Sequence, residues 1–265
     1  MSIQAATSQL KPFFTFPFQD TQARGRFAIG TALLLGGFVV PILPGLLVYG
    51  YALRILRSTA EGEPPSMPPW DDWSTLLSLG FRGGIVGLLF TLPAMLVFFL
   101  GFAAYFGVFL LIPFLSDARA NGGDAAFAVV LLAMATMFFS MAVGSALLFL
   151  GTIPLPAAVT HFVVKDQIGA AFRIREWWPT LLSNGLGYFI SFVLVAGILG
   201  ITYWAFFAVY YTVVLVCLAF FIMLPISLYT MLLGASLFGD AYREGAAMAQ
   251  KPSLPPPPGG PLPKR

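Results

Sequence analysis

The 265-residue chain is 58% hydrophobic and only 9% charged, with a formal net charge of +3. Soluble domains carry about 25% charged residues, so this chain cannot clothe a water-facing surface with polar groups, and its solvent must be largely hydrocarbon. The small positive excess fits the basic bias of cytoplasmic loops rather than a nucleic-acid-binding surface.

Residues 1–27 mix Phe13, Phe14, Phe16, Phe18 and Phe27 with Lys11, Arg24 and Arg26. They lack the apolar core of a signal peptide, and the mixture predicts a segment lying at headgroup depth. The first apolar run, about 28–53, is interrupted by Pro41, Pro44 and Gly45. Proline removes a helix hydrogen bond and clashes with the preceding turn, so the run either kinks or turns back as a re-entrant pair. A polar connection over 54–79 holds Arg54, Arg57, Glu61 and Glu63, then Pro64, Pro65, Pro68 and Pro69, then Trp70, Asp71, Asp72 and Trp73.

The second run, about 80–115, opens with two overlapping small-residue pairs, Gly80/Gly84 and Gly83/Gly87, which let another helix approach closely. Arg82 beside them is expected to snorkel to the headgroups. After a turn over Ser116 to Asp124 comes a third run, about 125–164, broken by Pro154 and Pro156. A second polar connection, about 165–184, carries Lys165, Asp166, Arg173, Arg175, Glu176, Trp177 and Trp178. No charge occurs from Trp177 to Gly239. At about 20 residues per crossing that stretch holds two more spans, 185–207 and 210–238. From 240 the chain reads as soluble, and Lys251 to Arg265 as a disordered proline-rich tail.

Hydrocarbon offers peptide groups no partners, so spans must be helices or a closed barrel; the runs lack the alternation a barrel needs. The expected fold is therefore all-α, a polytopic transmembrane bundle over 28–239 with about five crossings. It is preceded by the interfacial segment 1–27 and followed by 240–265. Five crossings place Arg54, Arg57, Arg82, Lys165, Arg173 and Arg175 on one side and Lys11, Arg24, Arg26 and Arg119 on the other. If Pro41–Gly45 is instead a hairpin tip, only Arg119 stays opposite, which the charge rule prefers. Full crossings nevertheless remain the expectation, because a buried tip needs protein partners.

The segment Trp73–Gly80 matches Trp178–Gly185 at six of eight positions. Each copy follows an Ala-x-Arg-Ile element (Ala52 to Ile55, Ala171 to Ile174) and a run broken by paired prolines. This reads as a duplicated unit of broken helix, interfacial loop and helix. Its anchors are Arg54, Arg57, Trp70, Trp73, Arg173, Arg175, Trp177 and Trp178, with Arg at phosphate depth, Trp just below, and Thr or Ser capping the next helix. Both connections are basic, which favours parallel rather than inverted repeats.

Parts for chemistry are absent from the pattern. The run centres lack charge, His161 is the sole histidine, and Cys217 is the sole cysteine. His161 alone cannot make a haem or zinc site and is expected to be interfacial or packed. Cys217 reads as a packing residue. No catalytic, cofactor or metal residue is assigned, and no enzyme is expected.

Phe16-Pro-Phe-Gln-Asp20, Gly50-Tyr-Ala-Leu-Arg-Ile-Leu-Arg57, Pro68-Pro-Trp-Asp-Asp-Trp73 leading to Gly80, and Phe172-Arg-Ile-Arg-Glu-Trp-Trp178 together resemble domain-of-unknown-function family 4013. The resemblance covers roughly residues 13–240. It implies a multi-span membrane protein of prokaryotic type, hence a prokaryotic inner or plasma membrane, and no activity or cofactor. The expected role is a non-enzymatic scaffold or accessory subunit of a membrane assembly, in contact with the lipid bilayer and with other membrane-protein subunits, and not with nucleic acid. The alternative is a transporter or permeation protein for a small or lipidic molecule, built on the broken helices.

Overall fold

The computed structural model describes residues 10–117, 122–210 and 216–250, with side chains at 113–126 and 210–220 left out. Among the described residues there is no strand, as the hydrocarbon argument requires. The helices are α1 (Thr21–Gly36), α2 (Leu43–Ala60), α3 (Trp73–Asp117), α4 (Gly122–Thr152), α5 (Leu155–Lys165), α6 (Ile174–Ser183), α7 (Gly185–Tyr210) and α8 (Val216–Ala249). Four stretches are long and apolar enough to cross a bilayer: Trp73–Ile112, Phe127–Thr152, Gly185–Val209 and Phe221–Ala249.

The first apolar run does not cross as one helix, which corrects the five-crossing expectation. Asp20 caps α1, accepting the Ala23 N–H at 2.6 Å. The helix stops at Gly36, and the chain reverses over 37–42, where Ile42 takes a φ of 77°. A β-branched residue there is strained, and Pro44 in the first turn of α2 fixes the restart. Two bonds show that the run turns back on itself. Arg26, in α1, donates to the Met67 carbonyl, and the Trp70 indole N–H donates to the Arg26 carbonyl at 2.8 Å. Met67 and Trp70 both follow α2, so the entrance of α1 and the exit of α2 lie at one end. The tip is apolar and bare, with Phe38 66%, Val39 84% and Ile42 76% exposed. The prolines were the legible sign, and the charge rule had preferred this version.

The N-terminal segment also departs from expectation. Phe16 is fully buried in a short 3₁₀ turn, packed with Val48, Tyr51 and Leu228, rather than lying in the interface. The tail beyond residue 250, Arg119 and the Cys217 side chain lie outside what is described.

The remaining helices form two antiparallel hairpins, α3 with α4 and α7 with α8, rising from a common base. The base is built from α2, α5, α6 and the C-terminal half of α8. The apolar part of α3, 40 residues, would reach about 60 Å at 1.5 Å per residue, twice the hydrocarbon thickness. The excess is used in the base. Residues up to Phe90 pack on α2, α5 and the turn at Phe172, and from Phe90 onward α3 pairs with α4.

Close approach holds α2 to α3. A Cβ on Gly50 would collide with the Leu76 carbonyl oxygen, and one on Gly80 with the Leu46 carbonyl oxygen. Each glycine lies over the backbone four residues before the other, so the two helices touch main chain to main chain. Gly83 is tight against Leu53 and Tyr49 side chains, whereas Gly84 meets only Leu46 at an ordinary 3.6 Å and Gly87 meets nothing within 4 Å. The expected four-glycine face is therefore a two-glycine one, and its partner, Gly50, came from the other helix.

Gly50→Ala and Gly80→Ala should each destabilise the protein by about 1–3 kcal/mol or more, because backbone cannot yield as a side chain does. Gly87→Ala should be neutral. Unfolding of the detergent-solubilised protein by SDS titration ranks the three; equal midpoints for Gly50→Ala and Gly87→Ala would contradict the crossing.

Candidate functional site

The two polar connections meet at the base, and most of the ionisable side chains of the described residues collect there. In the first, α2 ends on Arg54, which pairs with Asp71 at 2.6 Å, and Arg57, which pairs with Glu61 at 2.9 Å. Trp70 stacks flat on Tyr51, with ring centroids 3.9 Å apart, and the Tyr51 hydroxyl donates to the Pro68 carbonyl at 2.7 Å. These bonds pin the proline-rich loop against α2. Asp72, not Ser or Thr, caps α3: it accepts the Ser74 hydroxyl at 2.9 Å and the Thr75 N–H at 3.3 Å. The Thr75 side chain, then the Ser74 hydroxyl and the Thr75 N–H, hold its carboxyl below the usual carboxylate range.

In the second connection Trp177 is buried, its indole N–H donating to the Ala171 carbonyl at 2.9 Å. This corrects its assignment as a headgroup anchor. The side chain is large enough to fill the base, and its one donor is satisfied inside. Trp178 and Trp73 are exposed, Trp70 is half-buried, Arg175 is exposed, and Arg173 lies 3.5 Å from Glu176. Arg82 does not simply snorkel. It pairs with Asp166 at 2.8 Å, over the Phe162 ring, and ties α3 to the end of α5.

The centre of the base is a polar relay that sequence spacing did not reveal. His161 on α5 is buried, as one of the expected alternatives had it. Its Nε2 lies 3.0 Å from Glu176 of α6 and its Nδ1 lies 2.7 Å from the Tyr242 hydroxyl of α8. An ionised carboxylate only accepts, so Nε2 carries a proton, and in the neutral ring Nδ1 accepts from Tyr242. Three helices, 15 and 81 residues away from His161 in sequence, are thus joined at one ring. Beside them Asn184 donates to the Ala241 carbonyl at 3.1 Å and to Glu244 at 3.2 Å, and accepts the Gly187 N–H that opens α7. The Tyr188 hydroxyl is buried with no hydrogen-bond partner among the described residues. The arrangement works as a lock: α5, α6 and α8 cannot separate without stranding buried polar atoms. Among the described residues no three metal-ligating side chains converge.

Next to the lock, at the second helix break, an apolar cavity of about 320 Å³ opens between α2, α5, α7 and α8. Leu53, Leu155, Val195 and Phe238 wall it, with Ser227 and Thr230 as its hydroxyls. The Thr230 hydroxyl is already spent on the Ile226 carbonyl at 2.8 Å.

Tyr242→Phe should lower stability by about 1–3 kcal/mol, since it leaves His161 Nδ1 buried and unpaired. His161→Leu with Tyr242→Phe should cost less than the sum of the single changes, and a double-mutant cycle by SDS titration checks this. Glu176 adds a pH signature. The hydrogen bond from His161, then the charges of Arg173 and Lys165, hold its carboxyl below the ordinary glutamate value. Its contribution is therefore complete above about pH 4.3 and is lost as pH falls through the lowered value. Glu176→Gln should flatten the acid limb of the thermal-stability profile, and a limb unchanged by the substitution would remove Glu176 from the lock.

A family model described as a protein of unknown function, DUF4013, matches residues 33–211. No curated protein and no solved structure matches the chain.

Proposed function

The chain belongs to the DUF4013 family of proteins of unknown function, and from that premise we propose that it is a non-enzymatic scaffold or accessory subunit of a membrane assembly. The observation that carries this reading is the outward face of α7. The helix packs along one side on α8, and its most apolar window has no buried residue. On its free side Gly197 and Gly200 have no atom within 4 Å of where a Cβ would stand, and Val193, Ile201 and Trp204 flank them, exposed. Within this protein a second helix comes to main-chain contact at glycine, as at Gly50 and Gly80. An unoccupied pair on the least covered span suits a helix of another subunit.

Two finer readings go with this. The chain lies in a prokaryotic cell membrane with its base cytoplasmic, since Arg26, Arg54, Arg57, Arg82 and Arg173 gather at that end. It also arose by duplication. The matched parts are α2–α3 and α5 with α6–α7, and two crossings lie between the matched loops, as parallel repeats require. Ala52 and Ala171 are both buried, and the matched Trp73 and Trp178 are 45% and 43% exposed. A second functional reading, permeation or transport of a lipidic molecule, is favoured by the cavity at the second break. Its walls suit hydrocarbon and not a polar cargo.

A photo-crosslinking residue placed at Ile201 or Trp204 in native membranes should give discrete protein adducts. The same residue at Leu110, on the far hairpin, serves as comparison. Lipid adducts alone at all three positions would overturn the subunit reading.

A further inference from the structure

We propose that the chain holds one phospholipid with a primary-amine headgroup, of the phosphatidylethanolamine class, in a cavity distinct from the α7 face and from the apolar cavity at the helix break. This cavity, of about 490 Å³, lies where α7 begins and the apolar part of α8 ends, with the N-terminal segment closing one side. Its two ends differ in chemistry. Phe13, Leu194 and Leu237 wall the part that runs along the spans, and Asp240, Arg243 and Glu244 stand at its mouth. That is the layout of a lipid at the edge of the hydrocarbon, with chain inward and headgroup outward.

The charges choose among headgroups. Arg243 pairs with Asp240, whereas Glu244 has no cationic partner among the described residues; the neutral Asn184 amide is its donor. Among the lining residues, two carboxylates against one guanidinium leave one negative charge in excess. An ammonium donating to Glu244, with its phosphate toward Arg243, satisfies both signs. A purely anionic headgroup is repelled by the excess, and a choline headgroup has no N–H to give. The site uses Leu194 and Ser191 of α7, whereas the proposed subunit contact uses Gly197, Gly200 and Trp204, so the two can fail independently.

The test is native mass spectrometry of the full chain in mild detergent with equimolar dioleoyl-phosphatidylethanolamine, dioleoyl-phosphatidylglycerol and dioleoyl-phosphatidylcholine. One molecule of the ethanolamine lipid should be retained over the glycerol lipid by roughly fivefold, the size expected for one partly exposed charge pair. Glu244→Gln should remove that preference, and Leu194→Trp, which fills the apolar wall without touching a charge, should expel the bound lipid altogether. Soluble phosphoethanolamine should not compete. Equal retention of the three lipids, a preference unchanged by Glu244→Gln, or competition by the headgroup alone would each overturn the proposal. If Glu244→Gln loses its helical circular dichroism, Leu194→Trp carries the test: retention of the ethanolamine lipid by that variant refutes the site.

Discussion

In hydrocarbon a leucine gains nothing by leaving lipid for another leucine, so the hydrophobic effect that gathers soluble helices is absent here. What remains is close approach and hydrogen bonding between helices, and the base of this structure uses both. Gly50 and Gly80 bring two backbones into contact, and no side chain larger than hydrogen fits at either position. His161 joins α5, α6 and α8 through atoms that would otherwise be buried and unpaired. The α3–α4 and α7–α8 hairpins hang from these contacts. Their outer halves are lipid-facing because nothing in hydrocarbon pulls them together.

The same constraint explains the broken helices. A helix that stops inside the membrane exposes unsatisfied carbonyl and N–H groups, and the first run stops after only 16 residues. The reversal after Gly36 keeps bonding through it: Gly37, Phe38, Val39 and Val40 each donate to a carbonyl of the preceding turn. Pro41 and Pro44 have no N–H to leave stranded. Its tip can therefore be apolar outside and still close its own main-chain accounts. The half-helix that returns, α2, then becomes the most heavily used surface of the base, contributing Val48, Tyr51, Ala52 and Ile55 to the buried interior.

The medium, the helical class, the four long spans and the second break were legible because each depends on local composition, and the family was legible through the motifs that resemble it. Trp73 and Trp178, expected as interfacial anchors, are 45% and 43% exposed. What could not be read were choices made by distant partners. A tryptophan before a span looks like an anchor whether it faces lipid, as Trp178 does, or fills the interior, as Trp177 does; the difference of one position rotates it by about 100° on a helix. The glycine motif on α3 showed that a helix could approach, but not that Gly50 would be the partner or that Gly87 would have none. Tyr242 gave no sign of its bond to His161, since the 81 residues between them carry no spacing rule.

That division bears on how function is distributed along the chain. The residues that resemble the family lie in the connections and in α2, and in the structure most of them are engaged. Arg54 pairs with Asp71, Trp70 stacks on Tyr51, Arg173 and Glu176 pair beneath His161, and Trp177 fills the core. Trp70 and Trp177 are accounted for by holding the base together, whereas Arg54, Asp71, Arg173 and Glu176 are paired, with side chains 40–56% exposed. Open surface also lies at Gly197 and Gly200, where no helix among the described residues arrives, and at Glu244, which has no cationic partner among them.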